Sequence, residues 1–142
     1  MKRLISILVC VCMVLVACIS ARAGSGTYYV KPNQYWSVCV SANHNTNYSK
    51  CGARVLSVYP TDNSLDTFRY VQCRIVDSDD VNMLNSSYVL LDELNSSVTP
   101  LQIKDGMLNN PIVSFWLRGN SNSAAYAHLN YYGTYVSGSN YY

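Results

Sequence analysis

Short runs rich in Val, Ile, Tyr, Phe and Trp recur along the chain, and within them apolar and polar positions tend to alternate with the period of two that a half-buried strand requires. Eight such runs stand out, at 27–30, 35–42, 53–59, 67–76, 87–91, 98–103, 112–118 and 124–136. Turn chemistry separates them: Pro32 with Asn33, residues 60–64, 77–80 and 95–97, Asp105 with Gly106, then 109–111 and 119–123. Only 81–94 offers a helical turn, and its Asn85, Ser86, Ser87 centre weighs against a long one. The pattern predicts an all-β fold, a single small β-sandwich, Ig-like or jelly-roll-like, of about eight short antiparallel strands.

The last two runs read as a hairpin. If Arg118 and Ala124 flank its loop as a pair, Trp116 meets Tyr126 and Ser114 meets His128. One face then collects Val113, Phe115 and Leu117 against Ala125, Ala127 and Leu129, an apolar set that marks the core side. The other face carries the candidate binding residues Trp116, Arg118, Tyr126, His128, Asn130 and Tyr132. Such a stripe suits a carbohydrate, whose apolar faces stack on Trp and Tyr rings while Asn, Arg and His reach its hydroxyls. A Trp–Tyr cross-strand pair also has a purely structural use.

Ahead of the strands stands a leader. Lys2 and Arg3 make a basic start, an apolar run follows from Leu4 to Ile19, and Ala21, Arg22, Ala23 place small residues where a signal peptidase cleaves. Residues 1–23 therefore read as a secretory signal peptide. The run is shorter than the ~20 apolar residues of a spanning helix, so membrane contact is expected only through a lipid anchor. A second route is written into the same segment: Leu15, Val16, Ala17, Cys18 resembles the lipobox of bacterial lipoproteins, with 1–17 as the signal and Cys18 as the lipidated residue. Both routes export the chain, one to release and one to the cell surface. The sandwich is expected over 24–136, with 137–142 as a flexible tail.

Removing the leader changes the charge. The seven basic residues of 24–142 face eight acidic ones, and they are scattered singly along the sequence, which excludes a nucleic-acid partner of the usual basic kind. Three cysteines also remain, Cys39, Cys51 and Cys73. Alternation in 68–76 sets Cys73 beside Val71 and Ile75 as a small buried hydrophobe, while Trp36, Val38 and Val40 share the face opposite Cys39. Cys39 and Cys51 are left as the candidate disulfide in an oxidising exterior; three reduced thiols are the alternative.

Catalytic and metal constellations are not legible. Asp77, Asp79, Asp80 and Asn82 do not follow the order of an EF-hand loop and read as a polar turn, and the adjacent Asp92 and Glu93 point to opposite faces. No Gly-x-Ser-x-Gly elbow is present, and His128 and His44 lie in different segments. Asn47, Asn85 and Asn95 each open an Asn-x-Ser tripeptide, a pattern that arises by chance in so Asn- and Ser-rich a chain. The expected function is contact: an exported or surface-anchored non-catalytic module that binds an extracellular protein or glycan surface, with no metal and no cofactor. The alternatives are a small secreted hydrolase using His128 and a secreted antimicrobial or immunity factor.

Overall fold

Strand formation follows the alternation closely. A computed structural model describes residues 23–32, 35–61, 69–120 and 123–136; the expected signal segment up to Arg22, with Cys18, and the expected tail from 137 lie outside them. The strands are β1 (Ala23–Val30), β2 (Ser37–Asn43), β3 (Lys50–Pro60), β4 (Tyr70–Val76), β5 (Val89–Asp92), β6 (Thr99–Gln102), β7 (Ile112–Gly119) and β8 (Ala125–Tyr132). The 81–94 segment forms no helix: bridges at Asn82 and Leu84 and a bend at 85–87 lead into β5, and a turn follows at 93–94. A single 3-10 turn, Asp105–Met107, is the helical element among the described residues.

Two four-stranded antiparallel sheets form, in the orders β1-β8-β3-β6 and β2-β7-β4-β5. Apart from β4 and β5, strands consecutive in the chain lie in opposite sheets, which is the two-Greek-key arrangement of a jelly roll. Of the two sandwich types expected, this is the one formed. Between the sheets lie Val55, Val71, Ile75, Leu91, Leu101, Val113, Phe115, Leu117 and Leu129, all buried.

The hairpin expected between the last two runs does not form. β7 pairs with β2 and β4, whereas β8 pairs with β1 and β3, so the two strands face each other across the core instead of lying side by side. The inward sets were nevertheless read correctly: Val113, Phe115, Leu117, Ala125, Ala127 and Leu129 are all fully buried. Burial of an apolar face is satisfied equally by a neighbour in the same sheet and by one in the opposite sheet.

The Gly24, Ser25, Gly26 stretch belongs to β1 and pairs with β8. A Cβ at Gly24 would collide with the Tyr131 ring, so glycine there is what lets that ring lie over the strand.

The Cys39–Cys51 disulfide is not formed; the three cysteines among the described residues, Cys39, Cys51 and Cys73, are free thiols. Two features defeat the expectation. β2 and β3 enclose no hairpin because they belong to opposite sheets, and a β-bulge between Val38 and Val40 turns Cys39 toward the core while Val38 faces out. Cys73 is buried, and Cys51 donates its S–H to the Gly133 carbonyl at 3.1 Å. Burial pushes the Cys39 thiol up to about 12 and raises those of Cys51 and Cys73 further. Tyr28 is likewise raised to about 12 by burial and by its contact with Tyr131.

A raised acid pKa means that the folded state holds its proton more tightly than the unfolded state. Stability from these groups is therefore complete below the ordinary thiol value of 9.0 and declines as pH rises from there toward 12. Chemical denaturation at a series of pH values should give a flat profile from neutral pH to pH 9 and a falling one above it. The same thiols should be silent to a thiol reagent in the native chain at pH 8 and all react once it is unfolded.

Candidate functional site

Alternation on both sheets leaves an outer face, and each carries part of the stripe expected from the sequence. On the β2-β7-β4-β5 sheet the register sets Val38 beside Trp116, Trp116 beside Arg74, and Arg118 beside Gln72. Trp36 comes just before β2 and reaches over this face. Its indole lies against both guanidiniums, with Arg74 and Arg118 each centred 4.4 Å from the ring. Arg74 also lies 4.7 Å from the Trp116 ring, and Arg118 lies 5.5 Å from that of Tyr88, which leads into β5. Such cation–π contacts hold a charged group on an aromatic surface without neutralising it.

Arg118 is positioned from below. Its Nε–H donates to Gln72 Oε1 at 2.6 Å, and Gln72 Nε2 donates to Asn120 Oδ1 at 2.8 Å. Gln72 is buried under this chain of bonds, which fixes the guanidinium by its inner nitrogen. Arg74 is held below the ordinary arginine range, first by desolvation and then by the neighbouring Arg118 charge, with Asp80 acting in the other direction. It stays a cation at any physiological pH. Among the described residues the one ion pair is Arg69 with Asp92, elsewhere on the surface. The indole N–H of Trp116 and the Nε–H of Arg74 are buried and meet no acceptor.

The β1-β8-β3-β6 sheet presents a different outer face. Tyr29, Tyr126 and Tyr59 form one registered row across β1, β8 and β3, with ring centroids 5.9 and 5.6 Å apart. Tyr29 meets Tyr126 edge-on at 72° and Tyr59 is tilted by 34° to Tyr126, so the row does not make a flat platform. His128, Asn130 and Tyr132 follow along β8 on the same face by alternation. Ser25 Oγ lies 2.8 Å from His128 Nε2 on this exposed surface. Among the described residues, no carboxylate bonds the other imidazole nitrogen.

The six candidate residues are thus divided. Trp116 and Arg118 stand on one side of the sandwich, while Tyr126, His128, Asn130 and Tyr132 stand on the other, because β7 and β8 belong to different sheets. Trp36, Arg74, Gln72 and Tyr88 escaped the sequence reading. The outward position of Arg74 was available from its alternation with Cys73 and Ile75, but its neighbour Trp116 is 42 residues away and only strand order makes them adjacent.

The remaining polar groups have structural employment. Asp77 Oδ1 accepts the backbone N–H groups of Asp79 and Val81, closing the turn expected there, with Asp80 at a positive φ of 61°. Asp92 takes a two-pronged bond from Arg69, which holds its carboxyl below the usual range, and Glu93 accepts the Val58 N–H of the opposite sheet at 2.9 Å. His44 is buried and donates Nδ1–H to the Gly133 carbonyl at 2.7 Å, whereas His128 lies on the exposed outer face of β8. No cluster of three or more His, Cys, Asp or Glu side chains among the described residues is arranged to hold a metal ion. No family model, curated protein or solved structure matches this chain.

Proposed function

We propose that the chain is an exported, non-catalytic binding module that recognises glycan at a cell surface, and that its ligand lies on the outer face of the β2-β7-β4-β5 sheet. The observation that carries this reading is the concentration of Trp36, Trp116, Arg74 and Arg118 on that one face, with aromatic rings for stacking beside fixed polar groups for hydroxyls. A jelly roll hosts many functions, so the fold itself names none. Export is supported by the basic start, apolar run and small residues of 1–23, and anchoring by the Leu15 to Cys18 lipobox pattern.

Immobilised-glycan binding of the chain without its leader tests the reading. Trp36→Ala is expected to abolish retention while the melting transition shifts little, since it removes only surface cation–π contacts. Retention unchanged by Trp36→Ala, or no glycan retained by the unsubstituted chain, would overturn it.

A second reading, a hydrolase using His128, is favoured by one contact, the 2.8 Å approach of Ser25 Oγ to His128 Nε2. A serine nucleophile also needs a group that orients its imidazole and donors for the oxyanion. Turnover of an activated ester by the chain, lost in Ser25→Ala, is the result that would prefer this reading.

A further inference from the structure

Two guanidiniums share the Trp36 indole at 4.4 Å, and neither pairs with a carboxylate among the described residues. Like charges held this close repel, and folded surfaces usually disperse them or interleave them with acidic groups. Acidic residues are not scarce here: eight are present, against seven basic residues after the leader. Of the six among the described residues, Asp80 acts on Arg74 through its charge, but none forms an ion pair with either arginine. Arg74 holds its proton less tightly than an ordinary arginine, first because it is partly desolvated and then because of the Arg118 charge.

The donor geometry is one-sided as well. Gln72 engages Arg118 through Nε alone, so the bond that fixes the side chain does not consume its two terminal nitrogens. A guanidinium held by its inner nitrogen presents a two-pronged edge that matches a carboxylate or sulfate group. Beside it stands an aromatic surface for the apolar face of a sugar ring.

We propose that the ligand of this face is an acidic polysaccharide, whose carboxylate or sulfate groups are taken by Arg74 and Arg118 while its sugar rings stack on Trp36. This rests on the glycan-binding reading above and narrows it to anionic chains.

Titration calorimetry of the chain without its leader against polygalacturonate, heparin and dextran tests it. Polygalacturonate probes a carboxylate, heparin adds sulfate, and dextran carries neither. One or both acidic polymers should bind and dextran should not, with affinity falling between about 50 and about 300 mM salt as screening shortens. Arg118→Gln is expected to weaken binding roughly tenfold or more, and Arg118→Lys to restore only part of it, because lysine keeps the charge and loses the fork. Arg54→Gln, on the opposite sheet, should leave affinity unchanged and so excludes attraction by diffuse charge. Equal affinity for dextran, unaffected by Arg118→Gln, would overturn the acidic ligand and leave glycan binding standing. Absence of binding to all three polymers would remove both. Tighter binding of a single-stranded oligonucleotide, whose bases also stack on Trp and Arg, would overturn the choice of a saccharide.

Discussion

Phe115→Ala is expected to lower the unfolding free energy by about 3 to 5 kcal/mol. Phe115 is fully buried at the centre of β7, flanked by Val40 on β2 and Ile75 on β4, and its ring meets that of Tyr131 from the opposite sheet with centroids 5.6 Å apart. Removing the ring forfeits its transfer free energy and opens a cavity. Neighbours cannot easily move in to fill it, because strand pairing on both sides of β7 holds their backbones in place. A domain of this size has a margin of about 5 to 15 kcal/mol, so the variant should retain a folded state with a much reduced urea midpoint. Phe115→Leu should recover more than half of the loss. A change below about 1 kcal/mol in Phe115→Ala would mean that the two sheets do not close on this residue as described.

Gly133→Ala should be comparably severe, by about 3 kcal/mol or more, for the opposite reason: too much matter instead of too little. A Cβ at this position would collide with the backbone carbonyl oxygen of Asn43, which no side-chain rotation can relieve. The segment after β8 is pinned there by several bonds at once. The Gly133 carbonyl accepts from His44 Nδ1 and Cys51 Sγ, Thr134 Oγ1 accepts the Asn45 N–H at 2.9 Å, and the Tyr135 N–H donates to the Lys50 carbonyl at 2.8 Å. Shifting Gly133 to admit a methyl group would disturb that set, and part of it is buried. Gly106 supplies the contrast, since a Cβ there meets nothing within 4 Å. Gly106→Ala should be neutral or slightly stabilising through the unfolded chain. Equal urea midpoints for the two variants would remove the account of Gly133 as a close-packing position.

Read from the chain alone, the eight strands were legible in order and type, and the inward residues of β7 and β8 were named correctly. Errors collected where the local pattern was ambiguous. Gly24 and Gly26 carry no side chain to alternate, so β1 seemed to begin later than Ala23. The bulge in β2 split the expected face: Trp36 and Val38 lie outside, opposite Cys39, but Val40 turns inward with Cys39, since one extra residue shifts a period of two by half a cycle. Arg118 was named as a candidate beside Trp116, but its cluster with Trp36 and Arg74 was invisible because the three come from separate segments that only strand order brings together.

What the sequence determined by itself is therefore everything carried by period two within a strand: the all-β class, the approximate bounds of eight strands, and the inward faces of β7 and β8. That information is local, set by the pleat that sends neighbouring side chains to opposite sides. Which strand lies beside which is not local. An apolar face is buried as well by a sheet neighbour as by the sheet opposite, so the pattern admits both a β7–β8 hairpin and a jelly roll. Only tertiary structure, in which closing two sheets over one core buries both inward sets at once, sent β7 and β8 to opposite sides and brought two arginines together on a tryptophan.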